Sequence, residues 1–190
     1  MTDPLARLAR LLLEKSYIPG QVTLTSGRVS DYYFDCKQTA LHPEGAYLLG
    51  LTLFRSLSDS VHAVGGMTLG ADPLVSAVSV LSHIHNRPLP GFIVRKNPKG
   101  HGTNQYLEGL ANIPKRAKVT VLEDVVTSGG SVLAACQRTQ QAGLQVAQVL
   151  TVLDRQEGGA EALAEQGFSL ESLFTKQSLF AAAEEEGSKG

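Results

Sequence analysis

A chain of 190 residues that is 43% hydrophobic carries enough apolar material for one domain with a substantial core. Its 17 Lys+Arg against 18 Asp+Glu leave a formal net charge of −1, which argues against nucleic acid or an anionic membrane as a partner. Two cysteines, Cys36 and Cys136, make no C-x-x-C pair and no zinc-ligand spacing, so buried, reduced thiols are expected, as in the cytoplasm.

In chain order, PLARLARLLLEKS (4–16) sets Leu5, Leu8 and Leu12 at helical spacing among Arg7, Arg10 and Lys15, with Pro4 in the first turn. The run Leu11–Leu13 is too short for a secretory signal core, and no stretch approaches the ~20 apolar residues of a membrane span. A soluble, cytoplasmic protein is expected. QVTLTSGRVSDYYFDC (21–36) reads as two short strands around a Ser-Gly-Arg turn, and Pro43 opens a helix running to about Leu57. Strands and helices then alternate: strand 61–67, helix 71–84, strand 89–95, a polar stretch KNPKGHGTN (96–104), strand 118–124, helix 130–143 closed by Gly143, strand 144–154, and a short helix over 157–167. The tail AAAEEEGSKG (181–190) is expected to fray, with its acids solvated. Continuous apolar strands alternating with helices predict an α/β fold with a central, mostly parallel sheet flanked by helices.

Ligands of such sheets bind at the carboxyl ends of the strands. Three features of this chain fall there: Glu123-Asp124 with the loop after it, the 96–104 stretch, and Asp154-Arg155. Their coincidence favours one shared site. The loop Thr127-Ser128-Gly129-Gly130-Ser131 runs straight into a helix, so its backbone N–H groups and the helix dipole suit a phosphate, and its glycines permit close approach. Two carboxylates just before it would accept hydrogen bonds from vicinal hydroxyls such as a ribose offers, or sit near a magnesium ion. A sugar phosphate presents both kinds of group. On local chemistry alone, an ordinary strand–turn–helix junction with acidic capping stays open. There is no G-x-x-x-x-G-K-[ST] and no G-x-G-x-x-G, and GGSVL (129–133) lacks the final glycine of a nucleophile elbow.

The segment LEDVVTSGGS (122–131) resembles the ribose-phosphate signature of the type I phosphoribosyltransferases. That resemblance implies the type I phosphoribosyltransferase fold with a small N-terminal hood over about residues 1–40, and binding of 5-phosphoribosyl 1-diphosphate with Mg2+. Glu123 and Asp124 would face the ribose hydroxyls, Thr127, Ser128, Gly129, Gly130 and Ser131 would wrap the 5′-phosphate, and Val125 and Val126 between them would also contact the phosphoribosyl diphosphate. The metal would be held mainly by substrate, near the two acids, without direct protein ligation.

Three further segments narrow the resemblance to the orotate phosphoribosyltransferases. RKNPKGHG (95–102) is similar to their flexible catalytic loop, which reaches into the neighbouring subunit of a homodimer. This implies diphosphate contacts from Arg95, Lys96, Lys99 and His101, with Lys99, His101 and Asp124 catalytic. LTSGRVSDYYFD (24–35) resembles the L-x-SGR-x-S-x-YF segment that lines the orotate pocket, which places Tyr33 and Phe34 there beside Thr127. LDRQEGG (153–159) resembles the strand end whose arginine pairs with the orotate carboxylate, here Arg155. The chain departs from the best-known bacterial pattern at Thr25 and near Leu69, where many members carry lysine. The activity implied is transfer of a phosphoribosyl group to orotate in pyrimidine biosynthesis. A relative acting on a purine or another base would keep the 122–131 motif without the 95–102 and 153–159 segments. A regulator sensing phosphoribosyl diphosphate would bring a basic surface or a DNA-binding module.

Overall fold

The computed structural model describes residues 3–23, 29–98 and 106–187. Helix α1 (Pro4–Lys15) begins where the Asp3 carboxylate accepts from the Leu5 N–H, and it buries the stripe Leu8, Ala9, Leu11 and Leu12. Strands β1 (Tyr17–Thr23) and β2 (Val29–Phe34) pair antiparallel as a separate two-stranded sheet, the expected hood. The turn between them lies outside the described residues. A short helix α2 (Cys36–Ala40), capped by Asp35, leads to α3 (Pro43–Ser56).

From there the alternation predicted from the sequence is observed. It comprises β3 (Ala63–Met67), α4 (Asp72–Ile84), β4 (Gly91–Val94), β6 (Lys118–Val126), α5 (Gly130–Gln141), β7 (Gln145–Asp154) and α6 (Gly159–Ala164), with a two-residue strand β5 (Leu107–Glu108) before β6. A strand β8 (Leu170–Thr175) and a helix α7 (Lys176–Gly187) complete the chain. The six strands lie in the order β5-β4-β3-β6-β7-β8, and every neighbouring pair is parallel except β4 with β5.

Side chains alternate across β6, which explains its unbroken apolar run. Val119 and Val121 join the core under α5 and α6, while Leu122 joins the core on the opposite face with α1, α3 and α4. Both layers are needed to bury a sheet that is apolar on two faces. Cys36 and Cys136 are free and buried, and burial pushes both thiols upward, Cys136 to about 12, so neither is a ready nucleophile.

Besides α2, β5 and β8, which the sequence did not predict, four elements differ from expectation. The segment expected to fray, 181–190, is helical as far as Gly187, because Leu179, Ala182 and Ala183 pack against α1 and its neighbours. Strand β6 runs on to Val126, so Glu123 and Asp124 lie within it, just short of its end. Strand β1 begins at Tyr17, ahead of the expected residue 21. Helix α6 stops at Ala164, with Gly167 in the turn beyond it. Among the described residues no helix is long and apolar enough to cross a membrane.

Candidate active site

Parallel pairing brings the carboxyl ends of β3, β4, β6 and β7 to one edge of the sheet, and the predicted residues gather there. Period-two alternation sends the two acids of β6 to opposite faces. Glu123 turns toward α5, where it helps to raise the Cys136 thiol and where the Ser131 hydroxyl lies nearby. Asp124 turns toward the loop after β3: a Cβ on Gly70 would stand 2.5 Å from Asp124 Oδ1. Although the two Cβ atoms leave the strand on opposite sides, the carboxyls come back within hydrogen-bonding reach of each other at the strand end, where Glu123 Oε1 also accepts from the Asp124 N–H at 3.2 Å.

Glu123 is only 5% exposed, and its Oε2 is a buried atom without a hydrogen-bond partner among the described residues. Burial first, then the adjacent Asp124 charge, push its carboxyl up to about 8, and Ser131 offsets this only in part. Both causes favour the protonated form of Glu123 in the ligand-free site. Asp124 is half-buried, and its Oδ1 accepts from the Val125 N–H at 2.9 Å.

The loop after β6 has the form of an anion cradle. Gly129 adopts φ +81 directly before the first residue of α5 and is buried, whereas Ser128, Gly130 and Ser131 are exposed and Thr127 is half-buried. A Cβ on Gly130 would meet nothing within 4 Å, so the helix N-terminus opens on free space.

The end of β7 is fastened to this loop. The Arg155 N–H donates to the Val126 carbonyl at 2.9 Å. Gly159 seats against it: a Cβ there would collide with Val126 Cγ1 and stand 2.7 Å from the Thr127 carbonyl oxygen, while one on Gly129 would stand 3.1 Å from Gly159 Cα. Side chains at either position would force the two loops apart.

The Arg155 side chain is 4% exposed, donates from Nε to Glu157 at 2.9 Å, and stacks 4.2 Å from the centroid of the Tyr32 ring. Lys176, at the start of α7, lies 4.4 Å from the same ring and pairs with Asp31 at 3.0 Å. Tyr32 is the aromatic that the sequence reading missed. Strand β2 alternates, so Tyr32 and Phe34 (6% exposed) face the core while Tyr33 (38% exposed) faces outward. The adjacent Tyr33 and Phe34 thus lie on opposite faces of β2.

Of the cation-rich segment, Arg95 and Lys96 are described, while Lys99 and His101 lie outside the described residues, as does Thr25. Arg95 directly follows β4, and its Nη1 donates to Glu108 at 3.1 Å. Lys96 is exposed. With Thr68, Ile93, Asn97 and Glu108 these two line an open cavity of about 440 Å³. Leu69, in the loop after β3, is 70% exposed. Lys37, in α2, pairs with Asp35 at 2.6 Å, and Asp35 first, then more distantly Asp124, favour its charged form. Among the described residues no group of three or more His, Cys, Asp or Glu is placed to hold a metal ion.

The arrangement combines an anion cradle, carboxyl groups at its rim and a buried guanidinium one strand away. No family model matches the chain. A curated orotate phosphoribosyltransferase from a Nostoc species is 48% identical over 169 residues, which is 89% of this chain and 82% of that protein. Two crystal structures of Mycobacterium tuberculosis orotate phosphoribosyltransferase share the fold. One is a complex with iron(III) dicitrate (TM-score 0.79, 36% identical), and the other a complex with 5-phospho-α-D-ribosyl 1-diphosphate (TM-score 0.73, 35% identical). Each match covers 93% of this chain and 99% of that one. With sequence similarity of this depth along nearly the whole length, and an edge of the sheet built as the motifs require, the chain belongs to the orotate phosphoribosyltransferase family.

Proposed function

We propose that this chain transfers the phosphoribosyl group of 5-phosphoribosyl 1-diphosphate to orotate, giving orotidine 5′-phosphate and pyrophosphate. The observation that carries the reading is the fastening of the β7 end, with its buried Arg155, onto the cradle at 127–131 through Gly129 and Gly159. A base carboxylate on Arg155 and a 5′-phosphate in the cradle are then held at a fixed separation, as one nucleotide product requires.

In the reaction the orotate ring nitrogen bonds to the anomeric carbon as the bond from that carbon to the diphosphate oxygen breaks. The electron pair leaves with pyrophosphate. The sugar passes through an oxocarbenium-like state, and no covalent enzyme intermediate is needed. Ser128, Gly130 and Ser131 bind the 5′-phosphate from the open N-terminus of α5, and Asp124 and Glu123 accept from the ribose hydroxyls at the end of β6. Val125 and Val126 carry the backbone into the cradle, and Thr127 stands between cradle and base. Arg155 binds the orotate carboxylate, with Tyr33 as the outward-facing aromatic of the pocket. Arg95, Lys96, Lys99 and His101 meet the diphosphate, and the charge of Lys99 offsets that of the departing pyrophosphate. The donor set fits Mg2+ carried by the substrate: two carboxyls at the cradle rim, one with an orphaned oxygen, and no third ligand among the described residues. When bound, the ion would neutralise part of the diphosphate charge.

The protein acts as a cytoplasmic homodimer that shares its 95–104 segment between subunits. Exposed Leu41, Tyr47, Val80 and Ile84 supply apolar surface for such an interface. A monomer in sedimentation at assay concentration would remove the dimer. The decisive assay follows orotate absorbance. Loss should require both phosphoribosyl diphosphate and magnesium, while uracil, hypoxanthine and adenine should not react. Turnover of a purine in place of orotate would transfer the chain to the other branch of the superfamily.

A further inference from the structure

We propose that Arg138 is a positioning residue that fastens both stems of the 95–106 segment to α5, the helix whose first turn is the phosphate cradle. Its catalytic consequence rests on the reading above, in which this segment brings Lys99 and His101 to the diphosphate.

The stems leave the sheet at a weak place. Strand β5 has only two residues, pairing Ile93 with Glu108 and Val94 with Leu107. The last rung is the Arg95 N–H donating to the Tyr106 carbonyl at 2.7 Å. A pairing this short has little stability of its own. Arg138 grips both sides of that rung. Its Nη1 donates to the Arg95 carbonyl at 2.8 Å, and its guanidinium carbon lies 4.3 Å from the centroid of the Tyr106 ring. The same Nη1 stands 3.7 Å from Met67 Sδ, at the end of β3. One planar cation thus joins the incoming stem, the outgoing stem and the neighbouring strand. Arginine suits this place because it stacks on an aromatic face while donating in its own plane, which lysine does not do.

The position along α5 adds meaning to the contact. Arg138 lies eight residues after Gly130 in a continuous helix of 12 residues, roughly 12 Å along the axis at 1.5 Å per residue. The buried residues Val132, Ala135, Cys136 and Thr139 hold the helix on the sheet between these two points. The cradle and the stems of the cation-bearing segment are therefore referenced to one rigid element, and any set of the helix that suits the phosphate also sets the base of that segment.

The test uses the full chain with Arg138→Met, Arg138→Lys and Tyr106→Leu. In the ligand-free protein, amide hydrogen exchange at Arg95 should quicken about tenfold or more in Arg138→Met, the worth of a hydrogen bond from a charged donor. Exchange at Val121 and Val149 in the central strands should stay as in the wild type. The kcat for orotate should fall about tenfold, with KM for both substrates within about twofold, as expected when alignment rather than ground-state binding is lost. Arg138→Lys should recover part of the exchange protection and part of the kcat. Unchanged exchange at Arg95, or quickened exchange with wild-type kcat, would overturn the proposal. So would a fall in kcat accompanied by equal loosening of the central strands. Should Arg138→Met not fold, Tyr106→Leu carries the same readouts, because it removes the stacking partner and leaves the guanidinium. If the wild type itself fails to turn over orotate, the functional reading falls, and exchange at Arg95 alone decides whether Arg138 fastens the stems.

Discussion

On the proposed function Arg155 meets a substrate carboxylate, which requires it to be held still, and both an ion pair and a ring contact hold it. Glu157 takes Nε, and the Tyr32 ring supports the flat face. Replacing Tyr32 by Leu should weaken orotate by about 2 kcal/mol, near 30-fold, as for a desolvated cation–π contact. Phosphoribosyl diphosphate should bind as before, and Tyr32→Phe should behave as wild type. Calorimetric titration with each substrate separates these outcomes, and equal weakening of both ligands by Tyr32→Leu would count against the support role. Lys99→Ala should lower kcat about 10²–10³-fold, the cost of one transition-state electrostatic donor. Unaltered single-turnover rates would take Lys99 out of the chemistry. At this scale the sequence is an uneven guide. Glu123, Asp124 and Arg155 were singled out by the family resemblance, because on local chemistry alone the acids also suit an ordinary strand–turn–helix junction and Asp154-Arg155 a surface ion pair. The partner of Arg155 was not legible, because choosing among Tyr32, Tyr33 and Phe34 requires the phase of β2, and three successive aromatics conceal that phase.

Glycines mark where elements touch. Gly159 and Gly129 let the ends of β6 and β7 approach until backbone meets backbone. Gly159→Ala must move one loop, at a cost of about 1–3 kcal/mol for overpacking. Because the atoms displaced are those of Thr127 and Val126, the expected result is roughly tenfold weaker phosphoribosyl diphosphate binding at full expression of soluble protein. Wild-type affinity in that variant would mean that the loops are not braced against each other. The longer elements were legible, α1, α3, α4 and α5 because each spans several turns, and β6 and β7 because each is a long, continuous apolar run. The five-residue α2 and the two-residue β5 are too short to carry a period. Edge strand β8, with exposed Glu171 and Ser172, reads as a polar loop. Helix α7 was hidden by composition: AAAEEE looks like a solvated tail until Leu179 is seen at 1% exposure.

For the whole molecule, a sheet buried on both faces follows directly from continuous apolar strands, and its carboxyl edge is the only place where the motifs could meet. Strand order, and the seating of the hood on Arg155, depend on long-range packing that no local window contains. One thermodynamic consequence is global. Glu123 has its folded-state carboxyl raised to about 8 from an ordinary value of 4.5. Its contribution to stability is fully present below the unfolded value and is lost as pH rises through the folded one, so stability should decline between about pH 4.5 and pH 8. Glu123→Gln should flatten that slope in urea unfolding carried out across the range. A slope identical to wild type would mean that Glu123 is ionised throughout.

The same buried carboxyl makes the site a proton store. If the ribose hydroxyls and the diphosphate's magnesium require Glu123 as an anion, filling the cradle near pH 7 must expel a hydrogen ion into the medium. Titrations of phosphoribosyl diphosphate in buffers of different ionisation enthalpy would then give apparent heats that vary linearly with the buffer, with a slope approaching one released proton per site, and Glu123→Gln would bring that slope toward zero.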